Sequence, residues 1–299
     1  MNVNDFRYTG KGNFKLSDFP TKAGAKKEDK AKYKALTLEN TAKMAELQNR
    51  LYAEGKEGLV VIMQAMDAAG KDSTIKHVMS GVNPQGVTVT SFKSPSSLEL
   101  AHDYLWRAVT ALPQRGYIGI FNRSYYEDVL VVRVRNLWKG YKWPERCMDA
   151  SVDDFFAARY NEISNFEEYL YNNGYRVVKL FLHVSPEVQK ERFLARIDEP
   201  AKNWKFSSSD VKERALWDQY QDAYEAAIAA TSSKHCPWYV IPADQKWMTQ
   251  YLAGEAILQA LEDINPKYPL VTEEQAASLG DAKTLLENEI APGVAAPTE

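Results

Sequence analysis

The sequence is short of cysteine: Cys147 and Cys236 are the only two, far apart and without C-x-x-C spacing. That pattern speaks against a zinc site and fits a reducing compartment. No run of eighteen apolar residues occurs, so no membrane-spanning helix is expected. The opening stretch "MNVNDFRYTGKGNF" lacks the apolar core of a secretion signal, and the expected location is the cytoplasm. Without secretion, the glycosylation-like triplet Asn122-Arg123-Ser124 carries no meaning. An excess of one charge is also missing. Lys and Arg number 37 against 40 Asp and Glu, giving a net charge of -3, so nothing global points to nucleic acid or to an anionic membrane. There is no internal repeat and no Ser–His–Asp or Cys–His arrangement. Each of the four histidines, His102 included, is best explained as structural.

What the sequence has is apolar residues, 45% of its 299, in a strand-and-helix rhythm. Residues 1–27 are polar and are expected to form an arm. Residues 28–53 show helical spacing of Met44, Leu47 and Leu51. "GLVVIMQAM" (58–66), "GVTVTSF" (86–92), "GYIGIFN" (116–122), "YRVVKLFLHVS" (175–185) and "PWYVIPA" (237–243) are expected strands. Helices are expected from about Lys71 and over 96–112, 152–173, 185–197, 209–230 and 246–263. After residue 269 the chain turns acidic and weakly patterned, a loosely packed tail. Strand cores that are apolar on both faces, separated by helices, predict an α/β fold with a five-stranded parallel sheet flanked on both faces, in one domain spanning 28–268. Ligands bind such sheets at the carboxyl ends of the strands.

At the end of the first of these strands stands "AMDAAGKDST". A small-residue turn opening a helix aims backbone N–H groups outward as an anion cradle, here Ala68, Ala69, Gly70, Asp72 and Ser73, with Lys71 adding charge. Two positions depart from the usual G-x-x-x-x-G-K-[ST] loop: Ala65 replaces the first glycine, and Asp72 the Ser or Thr that holds a metal. Ala65 must keep its backbone out of the positive-φ region. Asp67 beside bound phosphates would repel them unless a cation lay between, so it either holds a metal or stabilises its own turn. The strand 116–122 leads into "NRSYYEDVL", offering Asn122, then Arg123 as a phosphoryl clamp or an acid-paired surface arginine, then Glu127 and Asp128. Ser124 and Glu127 also fit an S-x-x-E capping box, which leaves Glu127 two readings, metal ligand or cap.

Together "AMDAAGK", "FKSPSSLELAHDYLWR" (92–107), "GYIGIFNRSYYEDVL" (116–130), "RFLARIDEPAKNWKFSSSDVKER" (192–214) and "PWYVIPADQKWM" (237–248) resemble the polyphosphate kinase 2 family, over roughly residues 30–265. The form "NRSYYEDVL" is similar to the class that phosphorylates both AMP and ADP. The resemblance implies a P-loop kinase-like fold with a helical lid over about 192–214. It implies phosphoryl transfer between inorganic polyphosphate and AMP, ADP or ATP, with guanine nucleotides as further candidates. Mg²⁺ is the implied cofactor and Mn²⁺ its alternative, and the implied assembly is a dimer or tetramer of the chain, with no nucleic acid or membrane partner. By position, Asp67 and Lys71 fall on metal- and phosphate-binding loop residues, Arg123 on a phosphate-binding arginine, and Arg192, Arg196, Lys202 and Lys205 on the basic lid. Glu127 would supply the acid that Asn122 lacks.

Two basic segments suit a polyanion: 133–146, with five Lys/Arg against one acid, and 190–214, with seven against five. Their aromatics, Trp138, Tyr141, Trp143 and Trp204, are expected in the core. Two other functions compete. An ATP-dependent nucleoside monophosphate kinase would share the loop and lid but need a second base pocket. A nucleotide-regulated binding protein would not need Asp67, Lys71, Arg123 and Glu127 together.

Overall fold

The computed structural model describes residues 1–147 and 151–289, and in it the strands form one six-stranded sheet. The strands are β1 Arg7–Tyr8, β2 Gly58–Ala65, β3 Val87–Ser91, β4 Ile118–Asn122, β5 Tyr175–His183 and β6 Trp238–Pro242. Their order is β1-β6-β5-β2-β4-β3. The five expected strands are mutually parallel; β1 is an addition, antiparallel to β6. The chain order reverses direction around β2, and the crevice beyond the carboxyl end of such a strand is where ligands bind. Register sets what lies there: Met63 of β2 faces Asn122 of β4 on one side and Leu180 of β5 on the other.

Every residue of β2 is buried, which demands helices on both faces of the sheet. The helices are α1 Lys30–Glu54, α2 Lys71–Val78, α3 Ser97–Leu100, α4 Trp106–Thr110, α5 Val131–Val134, α6 Val152–Asn172, α7 Pro186–Asp198, α8 Ser208–Arg214, α9 Trp217–Thr231, α10 Lys246–Ile264 and α11 Glu273–Glu287. α10 packs on α1, α2, β5 and β6, while α6 packs on β5 and α9. The β-branched run Val60, Val61 and Ile62 lies wholly inside this sandwich, and full burial of such a side chain stabilises by about 1.5–3 kcal/mol.

Three expectations need correction. The first 27 residues are no free arm: Val3, Phe6, Phe14 and Leu16 are buried, Leu16 N–H donates to Glu225, and the Thr21 hydroxyl donates to Asp244 at 2.8 Å. The single helix expected over 96–112 is two, because the Asp103 carboxylate accepts the Leu105 N–H at 2.9 Å and diverts the backbone into a local turn. The helix expected over 209–230 breaks at Ala215–Leu216, where Arg214 turns inward to donate to Pro186 O and Gln189 Oε1. In the expected loose tail, α11 is started by a complete Thr272–Gln275 capping box, yet it buries none of its residues. Residues 290–299 of that tail lie outside the described residues.

The packed N-terminus yields a test. Phe6→Ala is expected to lower stability by about 3 kcal/mol, the cost of emptying a buried phenylalanine site. Urea unfolding should show an earlier midpoint; an unchanged midpoint would return these residues to the status of an arm.

Candidate active site

The loop between β2 and α2 is held in an unusual backbone. Gly70 takes φ 112°, which only glycine adopts at no steric cost, and Ala68 takes φ 60°. Ala65, by contrast, ends β2 in extended backbone, so its replacement of glycine is harmless. Lys71 opens α2 and its ammonium donates to Ala65 O at 2.9 Å, folding back over the loop. Burial, reinforced by the nearby Arg123 cation, lowers the Lys71 ammonium to about 8, with Asp67, Glu127 and Asp72 opposing the shift.

Arg123 follows β4 with φ 63°, a conformation that costs a non-glycine residue of order 1–3 kcal/mol. Its N–H is tied to Met63 O at 3.0 Å, which fixes the turn to β2. Its guanidinium lies between two carboxylates, donating to Asp67 Oδ1 at 2.8 Å and to Glu127 Oε2 at 3.2 Å. Those acids, Glu127 first, hold the guanidinium's pKa above its ordinary value, against the effect of burial. Glu127 therefore does not close a capping box. The cap of the 3₁₀ turn Tyr125–Asp128 is the Ser124 hydroxyl, accepting from Tyr126 N–H at 3.1 Å.

Buried polar groups anchor that turn from behind. The hydroxyls of Tyr125 and Tyr126 both donate to Glu167 Oε1, at 2.9 and 2.8 Å, and Glu167 is ion-paired with the fully buried Lys179. Asp128 is paired with Arg159 at 3.1 Å, and its carboxyl is pushed up to about 6 by burial, with Arg159 opposing. Among the side chains of the turn, Glu127 alone is left to the site.

Above the loop lies a cavity of about 610 Å³. The loop contributes Asp67, Ala68, Gly70, Lys71, Asp72 and Ser73, and β4 contributes Asn122 and Arg123. Ala69 does not line it; its carbonyl faces Arg192 instead. Arg196, Lys202 and Lys205 of the expected lid line it, together with Lys93, Arg192 and Lys246. The lining thus carries eight Lys or Arg, counting Lys71 and Arg123, against two acids, Asp67 and Asp72. Such an enclosure focuses positive potential on an anion.

Individual residues differ from their expected roles. Arg192 points its guanidinium at Ala68 O, Ala69 O and Ala243 O, at 3.1, 2.6 and 2.7 Å, and so clamps the loop to the end of β6. Arg196 pairs with Asp210 at 3.1 Å, and Lys202 pairs with Glu199. Asn122 donates to Asp72 Oδ1 at 2.8 Å, so these two unusual residues satisfy each other. Glu127 lies outside the main cavity; it lines a small adjoining pocket with Asp67, Arg123, Asp210 and Glu213. None of the five cations of 133–146 lines either space: Arg133 donates to Tyr160 and Arg135 pairs with Glu213, while Trp138 stacks on Phe155 in the core. Lys93 and Lys246 were not expected, though both follow the carboxyl end of a strand. Gln189 was missed as well: it donates to Asp67 O at 2.9 Å and accepts from Arg214.

A divalent cation fits this donor set. Among the described residues no three His, Cys, Asp or Glu side chains cluster into a metal cage. Mg²⁺ does not require one, since it is usually held by one or two carboxylates plus phosphate and water oxygens. Asp67 is placed to give such a ligand, with Glu127 on the other side of Arg123.

A family model described as "Polyphosphate kinase 2 (PPK2)" matches residues 27–269. Over 271 residues the chain is 45% identical to the ADP-polyphosphate phosphotransferase of Rhodopseudomonas palustris, covering 88% of this chain and 91% of that one. It is 44% identical over 266 residues to the AMP/ADP-polyphosphate phosphotransferase of Meiothermus ruber, covering 88% and 94%. The crystal structure of polyphosphate kinase 2 from Arthrobacter aurescens TC1 superposes with a TM-score of 0.85 at 36% identity, over 95% of this chain and 97% of that one.

Proposed function

The chain belongs to the polyphosphate kinase 2 family, and from that premise we propose that it transfers phosphoryl groups from inorganic polyphosphate to AMP and ADP, reversibly, giving ADP and ATP. The observation that carries the reading is the excess of eight cations over two acids around a phosphate loop. In the reaction the terminal P–O–P bond of the polymer breaks, and a nucleotide phosphate oxygen forms the new P–O bond. That oxygen is already ionised near neutral pH, so no general base is needed. Positioning and charge neutralisation carry the catalysis.

In this reading the backbone N–H groups of Ala68, Gly70, Lys71, Asp72 and Ser73 receive phosphate oxygens, and the Lys71 ammonium leaves Ala65 O to join them. Arg123 supports the migrating group, Arg196 and Lys246 track the polymer, and Lys202 and Lys205 reach the phosphates where polymer and acceptor meet. Arg192 keeps the loop in shape. Asp67, with Glu127, would hold Mg²⁺ or in its place Mn²⁺, which when bound neutralises phosphate charge. A cytoplasmic location, a dimer or tetramer, and use of guanine nucleotides belong to the same proposal.

Purified protein given ADP, polyphosphate and Mg²⁺ should form ATP, and AMP should give ADP. Transfer to AMP from ATP alone would instead make it a nucleoside monophosphate kinase, and binding without transfer a regulatory protein.

The lowered lysine adds a pH dependence. With the free ammonium titrating near 8, kcat/KM for polyphosphate should fall about tenfold per unit above that pH. Bound phosphates favour the charged lysine, so kcat should hold to higher pH. A kcat/KM flat to pH 10 would remove Lys71 from phosphate binding.

A further inference from the structure

The cavity over the loop is fitted to phosphate and offers almost nothing to a base. Phe92 is the one aromatic residue in its lining, and it is buried, with its ring edge-on to Phe121 at 4.9 Å and the Arg107 guanidinium 4.9 Å over its face. No flat surface is left on the floor for a purine.

The lid differs. Lys202 and Lys205 both line the cavity, and both belong to the 3₁₀ turn Pro200–Lys205. Between them in that turn stands Trp204, 78% exposed. Of the seven tryptophans, Trp138 and Trp238 are buried and Trp106, Trp143, Trp217 and Trp247 half-buried. Trp204 is the exception. It was expected in the core, and an indole left in water on a polar lid is apolar surface waiting for cover. Its N–H donates to Ala201 O at 3.1 Å, which fixes the ring within the turn, and the Lys205 ammonium lies 4.9 Å from the ring centroid. The ring is therefore coupled to one cation that reaches the phosphate cavity, and it shares its turn with a second.

We infer that Trp204 is the stacking platform for the nucleobase of the acceptor. This rests on the phosphotransferase reading given above. When the lid closes with phosphates held by Lys202 and Lys205, the indole covers the base at the opposite end of the same nucleotide. Stacking uses the π-face that every base has, so it sorts poorly between adenine and guanine.

The test compares the parent with Trp204→Ala and Trp204→Phe. Stacking measured by alanine substitution predicts a KM for ADP raised about five- to 150-fold in Trp204→Ala, with a much smaller change in KM for polyphosphate. Trp204→Phe should keep most of the affinity. Titrated with ADP alone, the parent's tryptophan emission should be quenched, and the quench should be lost in Trp204→Phe. An unchanged KM for ADP in Trp204→Ala, or an equal rise for both substrates, overturns the inference. So does emission that shifts with protein concentration and not with ADP, which would mean that copies of the chain cover the indole. A parent that makes no ATP from polyphosphate defeats the underlying reading, whereas a defeat confined to the Trp204 variants leaves that reading standing.

Discussion

Lys71→Met is expected to lower kcat by at least about a hundredfold, roughly 2.7 kcal/mol of barrier, the scale of removing one preorganised charge-stabilising group. The thermal midpoint should stay level or rise. The reason lies in the fold, where the ammonium is buried and donates to Ala65 O. Its pKa falls from 10.5 to about 8, so the fold disfavours the charged form by about 3 kcal/mol. With the folded value below the unfolded one, that penalty is full below pH 8 and fades as pH rises from about 8 to 10.5. Methionine keeps the length and removes the penalty. Steady-state turnover and a thermal melt at pH 7 check both halves. Near-parental turnover would make the loop a turn and nothing more.

Arg123→Ala is expected to cost still more, about a thousandfold in kcat, the lower end of what an arginine on a transferring phosphoryl group supplies. Here the second half of the expectation concerns metal. Arg123 occupies Asp67 and Glu127 at once. A cation and the guanidinium must therefore compete for the same oxygens. Without Arg123 both carboxylates lose their shared ion-pair partner, and the free protein should bind Mn²⁺ more tightly than the parent, read by electron paramagnetic resonance with no substrate present. Stability should change little, since ion pairs this exposed contribute at most about 1 kcal/mol. Unchanged Mn²⁺ affinity would mean that Asp67 and Glu127 are not the ligands.

The parallel sheet was legible because β2, β5 and β6 are apolar on both faces and bounded by turn residues. β1 was not: two residues long, it has no periodicity, and its partner Trp238–Tyr239 lies far along the chain. The loop announced itself through the small residues around Gly70. Asp67, Asp72, Asn122 and Arg123 came together as expected because register sets β4 beside β2. Arg192 shows the limit. Its place in a basic lid suggested a phosphate contact, but its partners are backbone carbonyls on two other segments, and carbonyls carry no sequence signal. Glu127 was ambiguous for a similar reason: the spacing that fits a cap also puts it in reach of Arg123, and the guanidinium won.

The antiparallel pairing of β1 with β6 also sets a schedule for synthesis. Arg7 and Tyr8 leave the ribosome well before their partners Tyr239 and Trp238, which come some 230 residues later, a wait of roughly 12–46 s at about 5–20 residues per second. During that interval Val3 and Phe6, both buried in the finished protein in a turn that packs on β6, have no β6 to settle against. The growing chain thus carries an uncovered sticky segment until β6 is made, and the body of the enzyme is sealed when that early segment closes on a much later strand.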